Sequence, residues 1–277
     1  FLSGVPDLPM LWEIGKQARS DQRQFHLVMA LPEWQPVLPS KIREHVPLLD
    51  MTSLLVIHEL GLFDVIFRFF PKIAVGQVTL LELQHYLSPI YGSPLRQKCV
   101  EIQSKLKAHF EQIIQPTAEL HENENVLADQ ASEEVKVLAR EGRFMVYSDD
   151  AFFRSYCDLP AEAQPSICTL DVLSALEEVG ELSPPELASN IAMLCKWNVG
   201  VVILFRYMKA VLPEELASAR SVLDGIEVLQ TSSLCYAMFS GIWNPGKTYA
   251  ELQTLAGAFL RDLCDETNNR IESIASL

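Results

Sequence analysis

Five carboxylates share one kind of position in this 277-residue chain: Asp50, Glu82, Asp149, Asp150 and Asp171. Each lies where a short apolar run gives way to a helix-like one, or on the helix that follows. Asp50 closes the run VPLL and is followed at once by Thr52 and Ser53. Taken singly, each acid has a structural explanation. Glu82 is placed as the far half of a capping box begun by Thr79, and Asp149, Asp150 and Asp171 open helices, where negative charge meets the positive end of the dipole. Taken together they pose an electrostatic problem. Two carboxylates about 4 Å apart repel by about 4 kcal/mol at an effective dielectric of 20, so a cluster requires a cation or a proton. Oxygen donors without Cys or His select Mg²⁺ or Mn²⁺. Such an ion activates water and polarises a phosphoryl group, which points to metal-assisted phosphodiester hydrolysis.

The elements that would position these acids alternate. Strand-like runs fall at 45–50, 72–77, 143–148, 166–170 and 199–205. Helical patterns fall between them, at 52–70 with Gly61 as a break, 78–87, 94–115, 126–140, 149–157, 171–179 and 184–196. Gly142 and Gly180 are stop signals, and Ser183-Pro-Pro-Glu186 is a capping box with proline at the first helical position. Alternation of this kind predicts a parallel sheet covered on both faces, with ligands at the carboxyl ends of its strands. Beyond residue 206 the pattern is helical, through a second capping box at Thr248–Glu251.

Composition excludes several classes. The formal net charge is −14, from 22 basic and 36 acidic residues, which argues against a broad phosphate-tracking surface but not against an acidic, metal-dependent site. The six histidines are scattered and the six cysteines form no C-x-x-C pair, so no zinc site and no disulfide framework is expected. The cysteines read as buried, reduced thiols of a cytoplasmic protein. No apolar run is long enough to cross a membrane. A G-x-G-x-x-G loop is absent, and Thr52 stands where a dehalogenase-type phosphatase would carry its second Asp. The start at Phe1 without Met suggests a piece of a longer parent chain, whose other domains are expected partners.

The order LLDMTSLL, VTLLELQHYL, YSDDAFFRSYC, ICTLDVLSALEEVGELS resembles the PIN-domain family of metal-dependent ribonucleases over about residues 46–200. In the register of that resemblance, Asp50 with Thr52 ends the first strand, and Glu82 lies on a V-x-x-x-E-L helix. Asp149 and Asp150 open the helix that carries Arg154, and Thr169 and Asp171 form the T-x-D step. The likeness is strongest to PIN-like domains at the C-terminal end of large bacterial conflict or defence proteins. It implies a three-layer α/β/α fold with a central parallel sheet of four or five strands. It also implies Mg²⁺ or Mn²⁺ on Asp50, Glu82, Asp149, Asp150 and Asp171, and an RNA substrate cut endonucleolytically. The doublet leaves open which Asp faces the metal, helix register favouring Asp150. Thr52, Ser53 and Thr169 would orient metal-bound water or cap helices, and Arg154 would meet a phosphate or a nearby acid.

The chain divides on this reading into a lead-in at 1–45, a PIN-like unit at 46–205 with a helical insert at 94–141, and a helical extension at 206–277. Trp12 and Trp34 are expected to pack onto the neighbouring unit. The oligomeric state stays open. The competing expectation is a catalytically silent PIN-like scaffold, favoured by the acidic charge and the helical additions.

Overall fold

The computed structural model describes residues 12, 27–31, 34–88, 93–120, 127–157, 166–197, 199–202 and 207. The chain is a mixed α/β fold with parallel strands. The helices expected at 206–219, 222–239 and from Thr248 onward lie outside the described residues, apart from Tyr207, which is buried with its hydroxyl 2.6 Å from that of Ser174.

A short helix, α1 (Pro39–Arg43), leads into the main sheet and buries Ile42 in its core. That sheet is built from β2 (Pro47–Leu49), β3 (Ile73–Val75), β4 (Ile113–Ile114) and β5 (Met145–Tyr147), in the order β4-β3-β2-β5 and wholly parallel. The runs PLL, IAV and MVY are buried at every position, as strands covered on both faces require. Their side chains divide by period two. Leu48, Ala74 and Val146 meet Val135, Leu138 and Ala139 of α6 (Leu127–Arg140) on one face. Leu49, Ile73, Val75, Met145 and Tyr147 join the larger core on the other. There they meet α2 (Met51–Glu59), α3 (Phe63–Phe69), α8 (Thr169–Glu178) and α9 (Pro184–Lys196).

The apolar stretch 52–70 breaks at Gly61 as read, giving two helices, α2 and α3, parted by a glycine at a φ of 67°, a conformation that favours glycine. Other elements depart from the sequence reading, each for a physical reason. The segment 94–115 is not one helix. It is α5 (Ser93–Ala108), a short turn at Phe110–Gln112, and then β4. Ile113 lies at helical spacing from Phe110 and Leu106, so periodicity alone hides the strand. The region read as a helical insert therefore supplies one strand of the sheet. The expected strand at 166–170 is a single parallel bridge, Tyr147 to Ile167, because α8 already begins at Thr169. The expected strand at 199–205 is β6 (Val199–Gly200), which pairs with β1 (Leu27–Val28) in a separate two-stranded sheet. The lead-in thus contributes a strand. Trp12 is buried edge-on to Trp197, with ring centroids 6.0 Å apart, as expected of packing and not of a base-stacking surface.

The two capping boxes that fall on described residues differ in outcome. Ser183 behaves as read: its N–H donates to Glu186 Oε2 at 2.8 Å and Pro184 opens α9. Thr79 does not cap α4 (Gln77–His85), which starts two residues earlier with Gly76 at the cap. The cap comes instead from α6. Glu134, almost fully buried, accepts from Val78 N–H at 2.9 Å and Thr79 N–H at 3.3 Å. Gly76 is what admits it, since a Cβ there would overlap the Glu134 carboxylate. Gly76→Ala is expected to push Glu134 off the helix end and cost about 1–2 kcal/mol, the scale of a lost cap. Urea denaturation of a double-mutant cycle checks this: the cost should nearly vanish in a Glu134→Ala background, and equal costs in both backgrounds would disprove the link.

Candidate functional site

The chain runs from β2 outward to β3 and β4, then returns past β2 to β5. The order reverses between β2 and β5, and open α/β sheets bind ligands at the carboxyl ends of the strands flanking such a reversal. Asp50 follows β2 there, and Ser148, Asp149 and Asp150 follow β5.

Asp50 is the N-cap of α2 and is 9 % exposed. Its Oδ1 accepts from Ser53 N–H at 2.9 Å and from the Thr52 hydroxyl at 2.7 Å, and its Oδ2 accepts from the Ser148 hydroxyl at 2.5 Å. Each hydroxyl is also an acceptor. Thr52 Oγ1 takes the Asp149 N–H at 3.0 Å and Ser148 Oγ takes the Asp150 N–H at 3.2 Å. One carboxylate therefore ties the end of β2 to the turn after β5. Asp149 is fully buried and receives both the N–H and the hydroxyl of Thr169, each at 2.6 Å. Asp50, Thr52, Ser148, Asp149 and Thr169 form one continuous network.

The remaining expected residues are placed differently. Asp150 Oδ1 caps α7 (Ala151–Tyr156) through Phe152 N–H and Phe153 N–H, so Asp149 and not Asp150 is the member of the doublet joined to Thr169. Asp171 sits in the first turn of α8, with both oxygens engaged. Oδ1 accepts from Trp34 Nε1 and Val37 N–H, both at 3.1 Å, and Oδ2 accepts from Cys168 N–H at 2.8 Å. Glu82 is buried on α4. Arg154 is half-buried and forms no ion pair with an acid among the described residues. Its guanidinium donates to the carbonyls of Ser148 and of Met29, fastening the β5 turn to the segment after β1. Sequence reasoning misses Ser148, Trp34 and Glu134, whose partners are set by strand register and by contacts distant in sequence.

Burial dominates the electrostatics. It raises the pKa of Asp50 and of Asp171 above the ordinary value, against the hydrogen bonds that lower them. It raises that of Asp149 to about 7, where the nearby charge of Asp50 adds to burial and Thr169 opposes it. Among the described residues no Lys or Arg forms an ion pair with these three acids. No group of three His, Cys, Asp or Glu side chains with metal-binding spacing occurs among the described residues. The donor chemistry of Asp50 and Asp149 nonetheless fits a hard cation: both offer oxygen only, neither is in an ion pair among the described residues, and Mg²⁺ commonly takes one or two carboxylates and completes its shell with water.

A groove of about 340 Å³ opens elsewhere, between α4, α5 and the β4 edge, lined by Gln77, Gln84, Leu106, Phe110 and Ile113. None of its lining residues is a carboxylate, so it is separate from the acidic network. The four described cysteines, Cys99, Cys157, Cys168 and Cys195, are free and buried, while Cys235 and Cys264 lie outside the described residues. No described helix is long and apolar enough to cross a membrane. Comparison with protein-family models, curated proteins and solved structures finds no match to this chain.

The raised carboxylates have a consequence for stability. A folded-state pKa above the unfolded one means the folded chain keeps a proton that the unfolded chain has released. The associated stability is complete below about pH 4 and is lost as pH rises towards 7. For Asp149 the span from 3.8 to about 7 corresponds to up to about 4 kcal/mol, at about 1.4 kcal/mol per pH unit. In EDTA the melting temperature should therefore fall between pH 5 and pH 8, and Asp149→Asn should flatten that fall. A variant with the wild-type slope would contradict the assignment.

Proposed function

We propose that this chain is a Mg²⁺- or Mn²⁺-dependent endoribonuclease of the PIN-like type, hydrolysing RNA phosphodiester bonds at the Asp50–Asp149 network. The observation that supports this best is the placing of two buried acids at the point where the strand order reverses, the Thr52 hydroxyl joining the Asp50 carboxylate to the Asp149 backbone N–H and the charge of Asp50 reaching Asp149. The wholly parallel sheet, extended past β5 by the Ile167 bridge, is compatible with the three-layer PIN-like architecture.

Asp50 and Asp149 would hold the ion. When bound, it would supply positive charge to the phosphoryl oxygens and lower the pKa of a water. The protein's own work is orientation. Thr52 and Ser148 hold both oxygens of Asp50, and Thr169 holds both of Asp149. In this scheme Asp171 is a positioning residue, fixing the start of α8 against Trp34 and Val37. Asp150 caps α7 and Glu82 is buried on α4, and neither is given a role in this scheme. A second reading, a silent PIN-like scaffold, draws support from the complete engagement of Asp171 by protein donors and from the −14 charge.

Asp50→Asn separates the two. Asparagine caps a helix about as well as aspartate, so α2 keeps its start and the melting temperature should be unchanged or raised. Cleavage of RNA in Mn²⁺ should fall by about two orders of magnitude or more, the scale of losing one group that stabilises charge in the transition state. EDTA should stop the wild type. Undiminished cleavage by the variant would reject the site. A wild type that cuts no RNA and binds no Mn²⁺ by calorimetry would favour the scaffold.

A further inference from the structure

The groove of about 340 Å³ between α4, α5 and the β4 edge has a chemistry unlike the chain around it. In a protein of net charge −14, none of its lining side chains is acidic and one, Lys107, is a cation. Lys107 Nζ donates to Gln103 Oε1 at 3.2 Å and forms no ion pair among the described residues. Gln77, Gln84 and Gln115 bring three further amides, each with donors and an acceptor, and their side chains make no hydrogen bond among the described residues. Phe110 lines the groove and is 66 % exposed. Its turn is anchored on both sides: His109 stacks on Phe67 with ring centroids 4.0 Å apart, and Gln112 Nε2 donates to the Phe67 carbonyl at 2.9 Å. The remaining lining is aliphatic, the buried Leu106 among it. Placement ties the groove to the acidic network. Gln77 follows β3 and Gln115 follows β4, and the Gln77 N–H meets the Pro116 carbonyl at 3.4 Å. Because the strands are parallel, this is the sheet edge that also carries Asp50 and Asp149. Neighbouring strands lie about 4.8 Å apart, so the end of β4 is about 10 Å from that of β2.

We propose that this groove binds one unpaired nucleotide of a single-stranded RNA, a short way along the strand from the bond held at the Asp50–Asp149 network. The three kinds of lining match the three parts of a nucleotide. The base lies on the aliphatic wall against the Phe110 ring, its donors and acceptors meet the glutamine amides, and its phosphate faces Lys107. The volume is in the range of sites for small ligands, about 300–1,000 Å³. The proposal rests on the nuclease reading for the course of the strand. The base has to be unpaired, since a duplex covers its faces and its pairing edge. An acidic peptide would also answer Lys107. The shared sheet edge favours the nucleotide, because an RNA chain cut beside Asp50 must leave the acids along one side, and the groove offers it a wall without a carboxylate.

The test is fluorescence anisotropy of a labelled oligoadenylate in EDTA, where binding is read without cleavage. Wild type should bind it and not the matching duplex. Phe110→Ala should weaken binding by about fivefold or more, within the range for loss of one stacked base, and Phe110→Tyr should retain it. Lys107→Gln should lower the slope of log affinity against log salt by about 0.7, the loss of one neutralised phosphate on a single strand. Phe152→Ala removes an exposed ring on α7, outside the groove, and should bind as wild type. All three side chains are exposed, so the variants should melt with the wild type. Wild-type affinity in Phe110→Ala, or an equal loss in Phe152→Ala, would overturn the proposal. So would oligoglutamate bound as tightly as oligoadenylate, the result expected of a site for acidic peptides. Adenosine monophosphate that displaces the oligomer at equal concentration would make this a site for a free nucleotide and overturn the RNA assignment. A wild type that binds as described but cleaves nothing in Mn²⁺ supports the groove while rejecting the nuclease reading. Cleavage with wild-type KM in Phe110→Ala and Lys107→Gln rejects the groove and leaves the nuclease reading intact.

Discussion

The carboxylate of Asp50 is the constraint on which the centre of this molecule depends. It ends a strand that is buried on both faces, caps the helix that follows, and receives a hydroxyl from the residue after the neighbouring strand. Removing any one of these partners leaves a buried acceptor short, which is costlier than the bond itself is worth. The β2–α2 junction and the β5 turn are therefore held together by this side chain along with the β2–β5 pairing and the Thr52 hydroxyl. Everything around the acidic network inherits that fixed geometry, including Asp149, whose N–H is held by Thr52.

The same arrangement is poorly optimised for stability alone. Three acids are buried with hydroxyls, amides and an indole as partners, and Arg154, in the turn beside them, spends its guanidinium on carbonyls. Its field still lowers the pKa of Asp149 and Asp171, but burial outweighs it. A protein selected only to fold would neutralise such groups with a salt bridge or replace them with apolar side chains. Perturbed carboxylates at the reversal point of a parallel sheet are the pattern expected where charge is kept for a ligand.

How much of this is legible in the sequence depends on the range of the interaction. Short-range features are readable: β2, β3 and β5 from their apolar runs, the stops at Gly142 and Gly180 with φ of 69° and 79°, and the box at Ser183 and Glu186. Asp50 is readable because it closes the apolar run PLL at the point where a helix begins. Features set by register are not. Ser148 matters only because Leu49 pairs with Tyr147, which brings the residue after each strand side by side. Asp171 reads from sequence as a helix-opening acid, while its partner Trp34 lies 137 residues away, a contact no local pattern announces. β4 is hidden inside a helical rhythm, and Val199–Gly200 is drawn out of the main sheet by a strand in the lead-in.

The cap that α6 supplies to α4 has a bearing on the order in which the chain folds. Glu134 reaches Val78 across 56 residues, spanning α5 and β4. Until that loop closes, the Val78 and Thr79 N–H groups of α4 lack the Glu134 acceptor, and a nine-residue helix is marginal by itself. α4, and with it the placing of Glu82, is thus completed only after the crossover to β5 has docked. The middle of the chain behaves as a latch: a segment that looks like an ornament on a smaller fold is what allows the earlier helix to settle.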